Sequence, residues 1–172
     1  EEICDYMNHY LPEDIEILRV SQVSERFHSR LNAKEKLYRY RIGIGSHKNV
    51  FERKYICPLH ETYDVEAMEK AAGYLTGTHD FRSFCANKKM KKSTVRTIYE
   101  IKITEFPKEL QIDYRGDGFL YNMVRILTGT LIEIGRGSRK PEEIQEILEG
   151  RDRGLAGFTA PARGLTLVEV RY

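Results

Sequence analysis

Residues 119–134 read as a helix that is apolar over most of its circumference, with Met123, Ile126, Leu127, Leu131 and Ile134 spread around it. Such a helix has to be covered on several sides, and the rest of the chain must supply the cover. One residue breaks the pattern. At 3.6 residues per turn, Arg125 shares its side with Tyr121, Asn122, Thr128 and Gly129, while Asp117 and Glu133 fall outside the three-and-four spacing. An unpaired guanidinium on a helix this apolar is costly, so Arg125 needs a carboxylate, a phosphate, a backbone carbonyl or an opening to solvent. Its partner must therefore come from elsewhere.

The remaining segments alternate between helical and extended patterns. Residues 1–10 carry Ile3, Tyr6, Met7 and Tyr10 at helical spacing, and Leu11-Pro12-Glu13-Asp14 closes the pattern with a turn. The β-branched content of 15–23 predicts a strand, and 37–44 predicts a clearer one with Tyr38, Tyr40, Ile42 and Ile44 on one face. Asp64 is suited to cap a helix whose apolar positions are Val65, Met68, Ala72 and Leu75, with Gly77 as its stop. Two further strands are expected at 94–106, alternating Val95, Thr97, Tyr99, Ile101 and Ile103, and at 110–114, with Pro107-Lys108-Glu109 between them as a hairpin link. A second amphipathic helix starts at Pro141 and ends at Gly150, and 165–172 reads as a final strand. Helices interspersed with hairpin-connected strands imply an α+β fold, with helices packed on one face of a largely antiparallel sheet.

Composition narrows the function classes. The chain has 172 residues, of which 41% are hydrophobic and 31% charged, which suits one compact globular unit and excludes collagen-like or wholly disordered readings. No apolar run approaches a membrane span, and Glu1-Glu2-Ile3-Cys4 lacks the order of a signal peptide, so a cytoplasmic protein is expected. The chain opens on Glu inside a helical pattern, which suggests a piece of a longer protein. Cys4, Cys57 and Cys85 are too far apart for a metal knuckle or a disulfide framework, and His28, His60 and His79 lack metal-ligand spacing. No metal is expected. The formal net charge is +2, but 81–99 carries Arg82, Lys88, Lys89, Lys91, Lys92 and Arg96 without a single acid. A local basic segment on a mildly acidic body is what a phosphate-tracking loop looks like, although a solvated lysine-rich loop has the same composition.

Several blocks of sequence then point in one direction: Leu11-Pro12-Glu13-Asp14-Ile15, Phe27-His28-Ser29-Arg30, Tyr38-Arg39-Tyr40, Gly77-Thr78-His79-Asp80-Phe81-Arg82-Ser83-Phe84, Val95-Arg96-Thr97-Ile98, Gly116-Asp117-Gly118-Phe119-Leu120-Tyr121-Asn122-Met123-Val124-Arg125, and Thr159-Ala160-Pro161-Ala162-Arg163-Gly164-Leu165. In this order and at these separations they resemble the C-terminal portion of the tRNA pseudouridine synthase A family, over nearly the whole chain. The resemblance implies a pseudouridine synthase C-terminal lobe with a ferredoxin-like subdomain at 24–172, and the tail end of an N-terminal catalytic lobe at 1–23. It implies isomerisation of uridine to pseudouridine in the anticodon arm of tRNA, without metal or cofactor, by a parent protein that forms homodimers.

Residue by residue, Tyr38 matches the family's active-site tyrosine, which stacks on the target uracil and is suited to take the C5 proton. Arg125 matches the arginine that pairs with the nucleophilic aspartate. That aspartate belongs to a Gly-Arg-Thr-Asp motif that does not occur in these 172 residues; Asp117 belongs to the block that leads into the Arg125 helix, and Asp152 has no matching surroundings. The chain is therefore expected to hold half of an active site and to be inactive alone. Arg30, Lys88, Lys89, Lys91, Lys92 and Arg96 are the expected phosphate contacts. The alternatives are a non-catalytic RNA-binding module and an assembly fragment that serves only dimerisation.

Overall fold

The computed structural model describes residues 2–46, 50–59, 61–87 and 89–172. These divide into two units, Glu1–Asn32 and Ala33–Tyr172. In the first, helix α1 (Glu2–Tyr10) buries none of its residues, and Ile3, Tyr6 and Tyr10 are all more than half exposed. Past the turn closed by Ile15 N donating to Pro12 O, residues 15–23 form no strand, contrary to the expectation from their β-branched content. Propensity alone does not make a strand, because the backbone needs a neighbouring strand to bond to. Here one residue is satisfied locally: the Asn8 amide donates to Ile17 O at 2.9 Å and accepts from Ile17 N at 2.7 Å.

The second unit is α+β. Its strands are β1 (Glu35–Gly43), β2 (Cys57–Pro58), β3 (Gly77–Asp80), β4 (Val95–Phe106), β5 (Glu109–Gly116) and β6 (Leu165–Arg171). They form an open sheet in the order β2-β1-β5-β4-β3, with β6 also pairing β1. Among the described residues only β1 and β2 pair in parallel. The helices are α2 (Val65–Leu75), α3 (Met123–Gly135) and α4 (Glu143–Gly150). Asp64 caps α2 as expected, accepting from Ala67 N at 2.9 Å, and Gly77 follows the helix end at φ +108, a conformation open to glycine.

Period two decides which strand residues are buried. Tyr40 and Ile42 of β1 and Leu110, Ile112 and Tyr114 of β5 form one apolar face, joined in a single cluster with Met68 and Leu75 of α2, Ile126 and Leu131 of α3 and Ile144 of α4. The opposite side of the same strands carries ion pairs, Arg39 with Asp113 at 2.7 Å and Arg41 with Glu109 at 2.6 Å.

Two elements differ from the sequence expectation. In β4 the register slips between Ile98 and Glu100, so Val95 and Tyr99 are exposed while Ile98 is buried together with Ile103. A bulge adds one residue to one strand and reverses the side-chain alternation beyond it, which period-two reading cannot see. The long helix starts at Met123 rather than near Phe119, because Asn122 takes a left-handed conformation at φ 59 that ends the preceding turn. No helix among the described residues is long and apolar enough to cross a membrane.

Candidate active site

The first turn of α3 positions Arg125. Asn122 carries the left-handed turn, Ile126 N donates to Asn122 O, and the Asn122 side-chain oxygen accepts from an Arg125 guanidinium nitrogen at 3.2 Å. Arg125 Nε donates to the carbonyl of Ala160 at 2.6 Å, and the Ala160 N–H donates back to the Arg125 carbonyl at 3.0 Å. The residue is half-buried, and no carboxylate among the described residues pairs with it. Of the partners open to it in the sequence, the structure supplies a backbone carbonyl and leaves one guanidinium nitrogen for a group from outside. Thr128 and Gly129, expected beside Arg125, serve the packing instead. Thr128 bonds the Tyr114 hydroxyl at 2.8 Å, and Gly129 lies so close to the Phe158 carbonyl that a Cβ there would sit 1.9 Å from its oxygen.

Tyr38 lies on β1 directly across from Tyr114 of β5 and two residues before Tyr40, on the core-facing side. Its ring meets the edge of Phe119 with centroids 5.3 Å apart at 88°. The Tyr40 hydroxyl donates to Pro161 O at 2.7 Å, so Tyr40 and Arg125 hold consecutive carbonyls of one segment. Tyr40, Tyr114, Thr128 and residues 160–161 thus form a frame that joins β1 and β5 to α3. Burial raises the Tyr38 phenol above its ordinary value, so its neutral hydroxyl is the resident form. Burial likewise raises Tyr40 and Tyr114, and the positive charge of Arg125 works against the rise at Tyr40.

Comparison with known proteins gives this frame its context. The family profile for tRNA pseudouridine synthase matches residues 71–172. The chain is 46% identical over 166 residues to tRNA pseudouridine synthase A of Bacillus pumilus (strain SAFR-032), covering 96% of this chain and 67% of that protein. It is 49% identical over 168 residues to the protein of the same name from Anoxybacillus flavithermus (strain DSM 21510 / WK1), with 96% and 67% covered. The relative from Brevibacillus brevis (strain 47 / JCM 6285 / NBRC 100599) is 46% identical over 166 residues, with 96% and 68% covered. The chain belongs to the tRNA pseudouridine synthase A family. It spans about two thirds of the length of these relatives.

Several expected contact residues of this synthase-family chain occupy one stretch of the second unit. Lys89, Lys91 and Lys92 are exposed on the connection between Phe84 and β4, and Lys88 lies outside the described residues, as does His60. Arg96 on β4 is partly committed, donating to Ser93 O at 3.0 Å and Val95 O at 2.6 Å with its stem over Gly118. Arg30 belongs to the first unit and is exposed. His79 and Asp80, adjacent in sequence, do not act on one another: His79 meets Thr76 O, and Asp80 caps the 81–84 turn through Arg82 N.

Sequence reasoning did not identify the partner segment of Arg125. Residues 156–161 are laid along α3 by Gly157 N on Thr130 Oγ1 at 3.0 Å, Phe158 N on Glu133 at 3.2 Å and the paired Arg125–Ala160 bonds. The signal was the Thr159-to-Leu165 block, visible as a motif and silent about what it touches.

Proposed function

We propose that this chain is the C-terminal portion of a tRNA pseudouridine synthase that isomerises uridine to pseudouridine in the anticodon arm of tRNA, and that it carries the Tyr38 and Arg125 half of the active site. The family membership gives the reaction class. The observation that carries the site assignment is Arg125, anchored through Ala160 O and Asn122 with no carboxylate of its own among the described residues. A guanidinium fixed through two of its nitrogens with the third unpaired is prepared to hold an incoming carboxylate ionised and oriented. In the proposed scheme the Gly-Arg-Thr-Asp aspartate lies in an N-terminal lobe, to which residues 1–23 belong as a tail, while 24–172 form the C-terminal lobe with its ferredoxin-like subdomain and helices on one sheet face.

The N-glycosidic bond breaks, uracil turns, C5 joins C1′, and the proton on C5 leaves as N1 regains one. Tyr38 stacks on the uracil and relays the C5 proton through its hydroxyl, accepting on oxygen while handing its own proton on, since burial disfavours a standing phenolate. No metal or cofactor enters the scheme. Arg30, Lys88, Lys89, Lys91, Lys92 and Arg96 contact tRNA phosphates, and the parent protein works in the cytoplasm as a homodimer.

The absence of the aspartate motif from this sequence favours a second reading for the chain by itself, a non-catalytic RNA-binding module. Tritium release from C5-labelled uridine in an unmodified tRNA transcript separates the two. The expected result is no release by the 172-residue chain and release once the chain is joined to an N-terminal lobe carrying the motif, lost again in Arg125→Ala. Release by the chain alone overturns the half-site, and no release by the joined protein that still binds tRNA favours the binding module.

A further inference from the structure

The Ala33–Tyr172 unit contains a pocket of about 360 Å³ that involves neither Tyr38 nor Arg125. It opens between the 82–94 stretch and the turn after α4, with Arg82, Arg151 and Arg153 against a single acid, Asp152, and with Cys85 and Met90 as an apolar wall. The three arginines are used unequally. Arg153 is bonded to Ala156 O at 3.2 Å and Thr159 Oγ1 at 3.1 Å, which ties the pocket to the segment that Arg125 holds. Arg151 reaches Asp80 at 3.4 Å. Arg82 is exposed, and its guanidinium makes no hydrogen bond or ion pair with any described residue. No ion pair joins Asp152 to it among the described residues, and the Asp152 side chain accepts from Gly154 N at 2.8 Å.

The backbone gives an independent reason to look here. Among the described residues only two that are not glycine have positive φ, Asn122 beside Arg125 and Arg151 at φ 50. The position after a helix end usually falls to glycine, which takes that conformation without penalty. An arginine held there at the end of α4 is an outlier of the kind that gathers at ligand sites.

We propose that this pocket binds one nucleotide unit through its phosphate, with Arg82 and Arg151 as the contacts and Met90 and Cys85 against the sugar or base. The proposal rests on the tRNA reading above for its source, a backbone phosphate of RNA, the other source of the same chemistry being a free nucleotide. At about 360 Å³ the open pocket has room for more than a bare phosphate. The exposed Lys89, Lys91 and Lys92 on the adjoining connection extend the positive field along the path an RNA strand would follow.

The test uses the full chain, with 5′-UMP and an unmodified tRNA transcript as probes. Arginine Nε–H signals are followed by ¹⁵N NMR, and tRNA affinity is followed against salt. The expected result is movement of the Arg82 signal with tRNA, and a log–log salt slope shallower by about 0.7–0.9 in Arg82→Gln, the value of one phosphate contact. Lys102→Gln, an exposed change on β4, should leave the slope alone. Movement with 5′-UMP as well supports a pocket that recognises the nucleotide by itself. Wild-type binding of tRNA with an unchanged slope in Arg82→Gln and no 5′-UMP response overturns the pocket and leaves the tRNA reading standing. A response to 5′-UMP without tRNA binding overturns the RNA source and supports a free-nucleotide site, and silence with both probes overturns pocket and tRNA reading together.

Discussion

The hydroxyl of Tyr40 is fully buried and has one acceptor, the carbonyl of Pro161. Tyr40→Phe removes the donor and leaves that carbonyl short of its partner, so a loss of about 1–2 kcal/mol is expected in chemical denaturation. Tyr114 offers a related test through pH. Its phenol, fully buried beside Thr128, is raised above the ordinary value of 10.0 by desolvation. The unfolded chain therefore loses that proton first as pH rises, and the folded chain keeps it. Stability from this group is complete below about pH 10 and falls above it, since the unfolded state then binds fewer protons. Denaturation midpoints are expected to be level between about pH 7 and 9 and to fall beyond 10, less steeply in Tyr114→Phe. At this scale the sequence told a mixed story. It singled out Arg125 as lacking an acid on its own helix, but its carbonyl partner lies 35 residues away, a distance over which no local pattern extends.

Between elements, the closest approach in the site is α3 against residues 156–161. A methyl group at Gly129 would occupy the space of the Phe158 carbonyl, and backbone on both sides has little room to retreat. Gly129→Ala is expected to destabilise the second unit by about 3 kcal/mol or more and to shift the Ala160 amide in an NMR spectrum, whereas Gly73→Ala, with open space around it, should stabilise α2 slightly. Element types were readable wherever period and cap agreed, as in α2 with Asp64, or β5 with its alternation of Leu110, Ile112 and Tyr114. They were misread where one residue changed the phase. Tyr99 is a good strand former and stays in the strand, but as the bulged residue it turns the face of Val95 outward, and nothing in its own chemistry announces this. The expected strand at 15–23 failed for the opposite reason, with propensity present and no paired neighbour.

Across the whole molecule, every residue of the hydrophobic cluster lies between Tyr38 and Leu165, and none comes from the first 32. A polypeptide of residues 33–172 is expected to fold by itself, with a thermal midpoint within about 4 °C of the full chain, a span worth roughly 1 kcal/mol at this size. Differential scanning calorimetry of the two polypeptides checks this, and an unfolded short form would show that the first unit supplies stability its own burial does not suggest. The α+β class was legible from periodicity, while the expectation that Tyr38 and Arg125 serve one site came from resemblance, because β1, β5, α3 and the 160–161 segment are far apart in sequence. Arg125 also has a bearing on genetics. Because it ties down Ala160 while one guanidinium nitrogen stays unpaired, replacement by a neutral residue removes a charge and unfastens a loop in the same stroke, and a screen scored on growth reads both losses as one phenotype. Chemical rescue with guanidinium ion distinguishes them, since a diffusible cation can restore the charge and cannot retie the chain.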